Sequence, residues 1–120
     1  MNKLHGLWRG KRTDTREWVE FDIAEAASKK GEIGFKVTLE TLGQCVGFVD
    51  KNRKPIFEGD IVTYKSVSGK TWTGQVIYSV NKSRFVMEVS GGQQMFEIAR
   101  KYANCYEIIG NVHDNKDSNQ

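Results

Sequence analysis

The stretch GFVDKNRKPIFEGDIV, residues 47–62, decides which fold we predict for this chain. Asp50 and Asn52 can hydrogen-bond to their own backbone in a turn, and the proline that follows fixes its own φ angle. Gly59 lies in a second tight turn, where it can adopt a positive φ because it has no Cβ. The β-branched and aromatic run at 61–65 favours a strand. The stretch therefore predicts two turns that lead into a strand.

Length and composition indicate one soluble globular domain. The chain has 120 residues, of which 38% are hydrophobic and 28% are charged, and such a chain can bury a sizeable core. The longest apolar runs span only three residues, so neither a secretory segment nor a membrane span is predicted. We expect a cytoplasmic protein without a membrane partner, with a single β domain at 1–113 and a flexible polar tail at 114–120.

The rest of the chain favours antiparallel β structure. The runs at 7–11 and 18–23 flank a polar turn at 13–16, which predicts an N-terminal β-hairpin. Further strands are predicted at 33–42, 71–78, 84–89 and 106–112. Even spacing without long apolar runs is typical of antiparallel sheets. We therefore predict a mainly β fold, an SH3-like small antiparallel barrel with an N-terminal β-hairpin extension and one short helix. Gly74 in mid-strand predicts a β-bulge.

One segment shows helical rather than strand spacing. Within residues 93–104, the side chains of Met95, Ile98, Ala99 and Tyr102 share a face at helical spacing. This segment is the predicted short helix. Residues 24–30 favour helix but end at a glycine, so a loop with one helical turn is predicted there.

Three stretches together resemble the YopX family of phage and prophage proteins. The family has a Gly-Leu-x-Asp-x-Asn-Gly turn followed by x-Ile-x-Glu-Gly-Asp-Ile-Val, which residues 47–62 match at most positions. The runs at 9–19 and 107–115 resemble the family's opening hairpin and its C-terminal signature. Arg53 stands where the family usually has Gly, and a non-Gly residue at positive φ is uncommon.

The resemblance implies a phage or prophage accessory protein in the bacterial host cytoplasm. It implies no particular reaction, because the family has no established one. We predict no catalytic residue, no metal site and no cofactor, since the common nucleophile, phosphate-loop and metalloprotease motifs are absent from the sequence. Turn carboxylates commonly bond to nearby backbone. The family-motif positions are therefore interpreted as structural: Gly47, Asp50, Asn52, Glu58, Gly59, Asp60, Gly110 and Asn111.

Three functional hypotheses remain at this point. The leading one is a non-enzymatic protein-interaction module that binds a phage or host protein. The alternatives are a self-assembling structural protein, a homo-oligomer formed through edge strands, and a weak, sequence-independent nucleic-acid binder. Aromatic side chains fit both a core and a platform that stacks bases: Trp8, Trp18, Tyr64, Trp72 and Tyr78.

The basic N-terminus generates a testable prediction about nucleic acid. Four cations bracket the first hairpin turn, and we expect the hairpin to bring them together: Arg9, Lys11, Arg12 and Arg16. Four phosphate contacts would give a slope of log affinity on log salt of about −3. Fluorescence anisotropy with labelled DNA and RNA at low salt measures this slope. Binding that is unchanged when all four residues become Ser would contradict the prediction.

Overall fold

The computed structural model describes residues 4, 6–22, 36–89 and 94–114. These residues form nine strands and two short 3-10 segments, Leu39–Thr41 and Arg100–Cys105. The prediction of a mainly β fold is confirmed. In the described part of the chain, no helix has the length and apolar character needed to cross a membrane. The strands are Leu7–Lys11 (β1), Trp18–Asp22 (β2), Gly43–Val49 (β3), Pro55–Phe57 (β4), Asp60–Lys65 (β5), Thr71–Ser79 (β6), Arg84–Val89 (β7), Gln94–Glu97 (β8) and Tyr106–Asn111 (β9).

The first sheet has four strands in the order β2-β1-β3-β4. β1 and β2 are antiparallel with Arg9 opposite Glu20, which confirms the predicted N-terminal hairpin. β3 pairs with β1 through Trp8 and Gln44, and with β4 through Cys45 and Phe57. The hairpin is therefore an integral part of a sheet.

The second sheet has five strands in the order β8-β7-β6-β5-β9. β5, β6 and β7 form an antiparallel meander, and β9 returns to pair with β5 on its other side. These strands confirm the predictions for 61–65, 71–78, 84–89 and 106–112. No closed barrel is found among the described residues, whose strands form two separate antiparallel sheets.

The hydrophobic core lies between the two sheets. β3 and β4 contribute Phe48 and Ile56 from the first sheet, while β5 to β9 contribute most of the remaining side chains. These residues are nearly inaccessible to solvent, and such burial is the main driving force for folding. The full buried cluster is Phe48, Ile56, Val62, Val76, Met87, Ile98 and Tyr106.

The prediction of a helix at 93–104 is wrong. Residues 94–97 form β8, which pairs with β7 and places Phe96 opposite Met87. Only the later part is helical, as the 3-10 segment Arg100–Cys105. The strand is favoured over the helix because pairing with β7 satisfies the hydrogen bonds of backbone N–H and C=O groups and packs Phe96 against the core. Met95, which the helical pattern assigned to the buried face, is 39% exposed.

The predicted strand at 33–42 is also wrong where the structure describes it. Val37 forms only an isolated bridge with Arg12, and Leu39–Thr41 is a 3-10 turn. The buried hydroxyl of Thr41 explains the turn, because it donates to the Thr38 carbonyl at 2.6 Å and accepts from the Lys11 N–H at 2.9 Å. Residues 33–35 and the predicted helical turn at 24–30 lie outside the described residues.

Asp114, the first residue of the predicted tail, contacts the first hairpin. The carboxylate of Asp114 accepts a hydrogen bond from Trp18 Nε1 at 2.9 Å and forms an ion pair with Lys11 Nζ at 2.9 Å. Asp114 therefore belongs to the folded domain and joins its end to the first hairpin. Residues 115–120 lie outside the described residues.

Gly74 allows a close approach of two strands, and the predicted bulge at this position is wrong. β5 and β6 stay in register at Gly74, which lies opposite Val62. A Cβ on Gly74 would lie 2.5 Å from the Glu88 carbonyl oxygen and 2.8 Å from Met87 Cγ. The absence of a side chain is therefore what lets β7 pack at this point.

We predict that Gly74→Ala destabilises the protein strongly. Relieving the clash requires movement of the β7 backbone, so we expect the free energy of unfolding to fall by about 1–3 kcal/mol. Gly110→Ala in β9 is the matched control, because a Cβ there has no neighbour within 4 Å. We expect the control to change stability by less than about 0.5 kcal/mol. Urea unfolding measures both, and equal effects would contradict the role assigned to Gly74.

Candidate functional site

The carboxylate of Asp60 is buried at the junction of the two sheets, with only 1% of the residue exposed. It accepts hydrogen bonds from the Phe57 backbone N–H at 2.8 Å and from Asn111 Nδ2 at 3.2 Å. The third donor to this carboxylate is Arg9 Nη2, and Arg9 and Asp60 therefore also form an ion pair. Three segments distant in sequence, β1, the end of β4 and the end of β9, therefore meet at one side chain. We call Arg9, Asp60 and Asn111 the inter-sheet cluster.

The guanidinium of Arg9 is enclosed by aromatic rings as well as by the carboxylate. Its Cζ lies 4.5 Å from the ring centroid of Trp18 and 4.5 Å from that of Phe57. Cation–π contacts of this kind offset part of the cost of removing the charge from water. Among the described residues, Arg9 Nε is buried without a hydrogen-bond partner. The contacts described for this guanidinium, with Asp60, Trp18 and Phe57, are thus all made within the fold.

Asp50 performs a related task at the turn before β4. Its Oδ1 accepts from the backbone N–H groups of Asn52 and Lys54, both at 2.9 Å. Its Oδ2 accepts from the N–H of Ile108 in β9, also at 2.9 Å. The adjacent Lys51 N–H donates to the Tyr106 carbonyl at 3.0 Å. The turn therefore bonds to β9, an edge strand of the second sheet.

The other motif positions also make contacts within the fold. Gly59 has a φ of 96° and Gly47 a φ of 105°, a region that favours glycine. Asn111 Oδ1 accepts from the His113 N–H at 2.8 Å, and the Glu58 N–H donates to the Gln44 carbonyl at 3.0 Å. The geometry thus agrees with a structural interpretation of the family motif.

The four N-terminal cations do not form an exposed cluster, so the expected arrangement is wrong for two of them. Arg9 pairs with buried Asp60, and the side chain of Lys11, only 10% exposed, pairs with Asp114. Arg12 donates to Asp14 at 2.8 and 2.9 Å, and this hydrogen bond lowers the pKa of Asp14. Arg16 is exposed in the turn with a φ of 63°. Nucleic-acid binding through Arg12 and Arg16 stays a prediction.

A half-buried aromatic surface lies on the second sheet. The rings of Tyr64 and Tyr106 are 5.0 Å apart, those of Tyr64 and Phe96 are 5.5 Å apart, and those of Trp72 and Phe96 are 4.9 Å apart. Tyr102 from the 3-10 segment lines a surface cavity of about 350 Å³ together with Tyr64, Phe96 and Tyr106. We call Tyr64, Trp72, Phe96, Tyr102 and Tyr106 the aromatic groove.

Two lysines flank the aromatic groove. Lys70 Nζ lies 5.0 Å from the ring centroid of Trp72, and Lys101 Nζ lies 5.1 Å from that of Tyr102. Both residues are exposed, and within the described residues neither ammonium forms an ion pair. The carboxylate nearest the cavity, Glu97, is already paired with Arg84. The groove therefore has a positively charged rim.

Tyr106 forms the buried floor of the groove, with 1% of the residue exposed. Its hydroxyl donates to the Glu97 carbonyl at 3.0 Å. Burial is the main cause that raises the pKa of this phenol above its ordinary value. The hydroxyl therefore stays neutral and holds the floor of the groove in place.

Sequence reasoning found only part of this surface. The sequence predicts Tyr64 and Trp72 as residues of the core or of a stacking platform. In the structure both side chains pack against the core and both are partly exposed. Trp8 and Tyr78 lie elsewhere, and Trp18 contacts Arg9. Phe96 and Tyr106 were missed because they join the groove only through the sheet topology. The apolar–polar–apolar order of residues 96–98 was the signal that could have identified Phe96 as part of a strand.

The described residues show no arrangement that suggests a metal centre. No group of three or more His, Cys, Asp or Glu side chains there could hold an ion. Cys45 and Cys105 are free thiols, the first buried and the second partly exposed. Burial raises the pKa of the Cys45 thiol. A protonated, buried thiol packs as a small apolar group.

Fold and site together define a small two-sheet antiparallel β protein in which turn and sheet-junction carboxylates organise the structure. The family model for the YopX protein matches residues 4–117, nearly the whole chain. The chain belongs to the YopX family. No curated protein matches it.

We predict that Asp60→Ala lowers the free energy of unfolding by about 3–5 kcal/mol, because it leaves the Arg9 charge buried without its partner. A simple turn hydrogen bond would contribute only about 1 kcal/mol. Asp14→Ala, which breaks an exposed ion pair with Arg12, is the control, and we expect no measurable change. Chemical denaturation followed by tryptophan fluorescence compares the variants. A loss near 1 kcal/mol for Asp60→Ala would contradict the role of the inter-sheet cluster.

We predict that Arg53→Gly stabilises the turn. Arg53 has a φ of 66°, and this conformation is unfavourable for a residue with a Cβ by roughly 1–2 kcal/mol. Glycine removes that penalty but gains entropy in the unfolded chain, so we expect a net gain of up to about 1 kcal/mol. Arg53→Ala retains the Cβ and is the matched control. Thermal unfolding in which Gly is no more stable than Ala would contradict the prediction.

Proposed function

We propose that this member of the YopX family is a non-enzymatic phage or prophage accessory protein that acts in the bacterial cytoplasm as a binding module. Its contact surface is the aromatic groove. The observation that carries the proposal is a set of clustered rings, four of them partly exposed, beside a cavity of about 350 Å³. Small binding sites are typically concave and lined by apolar and aromatic side chains.

The chemistry of the motif residues supports binding rather than catalysis. A general acid or base needs access to a substrate proton. Asp50 and Asp60 are 2% and 1% exposed, and their oxygens accept hydrogen bonds from the fold. These two carboxylates are therefore poorly placed to act on a substrate, whereas the aromatic groove faces the surface.

Self-assembly is a second candidate because β8 is an edge strand with a partly exposed Met95. Unpaired edges are common sites of association between sheets. The other edge of this sheet is less suited, because the Asp50 turn bonds to β9 at residues 106 and 108. Size-exclusion chromatography with light scattering tests self-assembly. If this candidate is correct, we expect the protein to be an oligomer and the Met95→Lys variant to be a monomer.

The aromatic groove is tested by affinity capture from infected or induced cells. We expect Trp72→Ala to lose most of the captured protein and nucleic acid, because it removes the largest ring of the groove. Tyr78→Ala is the matched control: Tyr78 lies on the same strand, is 46% exposed and packs on Phe85 outside the groove. Circular dichroism first confirms that both variants are folded. Equal capture by both variants would contradict the proposed function.

A further inference from the structure

We propose that the aromatic groove binds single-stranded nucleic acid without sequence preference, with bases on the rings and phosphates at Lys70 and Lys101. This inference rests on the proposed function and names its partner class. It places the ligand on the second sheet, not at the N-terminal hairpin where the cations of the sequence first suggested one.

The rings supply the surface that unpaired bases require. Contacts between partly exposed rings run from Trp72 through Phe96 to Tyr64, at centroid distances of 4.9 and 5.5 Å. The buried ring of Tyr106 supports Tyr64 at 5.0 Å. Stacking on aromatic side chains is tolerant of sequence because every base has a π-face. The cavity beside Tyr102, at about 350 Å³, falls in the size range of small-ligand sites and admits one base.

The charges supply the complement to a phosphate backbone. Each ammonium lies over one ring of the groove, Lys70 at Trp72 and Lys101 at Tyr102. Both are exposed and can leave the ring faces for phosphates while bases take their place on the rings. Arg100 precedes Lys101 in the chain, but its guanidinium donates to the Gly47 carbonyl at 3.3 Å, so the two lysines are the cations assigned to the phosphates.

The same features disfavour other partners. In duplex DNA the base faces are stacked on one another, so the rings of the groove have no free base face to contact. Only the charges of the two lysines would then attract a duplex. A peptide bound by aromatic side chains alone would gain little from the two unpaired ammonium groups. Arg9 and Lys11 are held in ion pairs, so the groove offers the accessible combination of rings and cations that the hairpin lacks.

Fluorescence anisotropy tests the proposal with labelled twelve-nucleotide oligo(dT), a mixed-sequence strand of the same length and its duplex. We expect dissociation constants on the order of 10–100 µM at low salt, similar for both single strands and weaker for the duplex. Two phosphate contacts predict a slope of log affinity on log salt of about −1.4. Inorganic polyphosphate, which has charge but no bases, should compete poorly.

Variants separate rings from charge. We expect Trp72→Ala to weaken binding about fivefold or more, the effect of removing one stacked base. Trp72→Phe should retain most of the affinity, and it should lose the fluorescence quenching that the oligonucleotide causes at this position. Lys70→Gln with Lys101→Gln should abolish the salt dependence. Arg12→Gln with Arg16→Gln removes the same charge from the first hairpin and should leave binding unchanged.

Each contrary result overturns the inference. The first such result is that neither single strand binds at low salt. The second is that the duplex or polyphosphate binds with the same affinity as the single strands. The third is that binding is lost in the Arg12 and Arg16 variant rather than in the lysine variant. If capture from cells depends on Trp72 while no oligonucleotide binds, the groove is a binding surface for another partner. In that case the nucleic-acid inference fails and the proposed function stands.

Discussion

The buried carboxylate of Asp60 is the constraint on which the arrangement of the two sheets depends. The chain leaves the first sheet at Phe57 and enters the second at Asp60, so only two residues separate them. A buried charge is tolerated only where it is paired and hydrogen-bonded. Arg9 and Asn111 meet that requirement from the two sheets. The need to satisfy one carboxylate therefore determines where β1 and β9 must lie.

Asp50 uses the same chemistry to protect an edge. β9 is the last strand of its sheet, and an unpaired edge offers a template to other strands. The side chain of Asp50 and the N–H of Lys51 occupy backbone groups of Ile108 and Tyr106 that such a template would need. The two carboxylates of one short motif thus serve opposite needs: one joins the sheets and the other limits further pairing.

The local parts of the fold could be predicted from the sequence, and the non-local parts could not. Alternation and turn residues identify the hairpins because each partner strand is nearby in the chain. Arg9 was assigned to the surface because its partner lies 51 residues away and leaves no local signal. Residues 93–104 fit both periods, since Phe96 suits an alternating strand and Tyr102 a helical face. Only pairing with β7 decides between them.

The sequence separation of the cluster contacts has a kinetic consequence. β5, β6 and β7 are joined by short turns, whereas Trp18 meets Asp114 across 96 residues. Loop-closure entropy rises with that separation, and contacts between distant residues slow folding. The meander is therefore the natural nucleus, and the first hairpin docks late. The hairpin is also the unit most able to detach while the meander stays intact, so its amide hydrogens should exchange with solvent through partial opening.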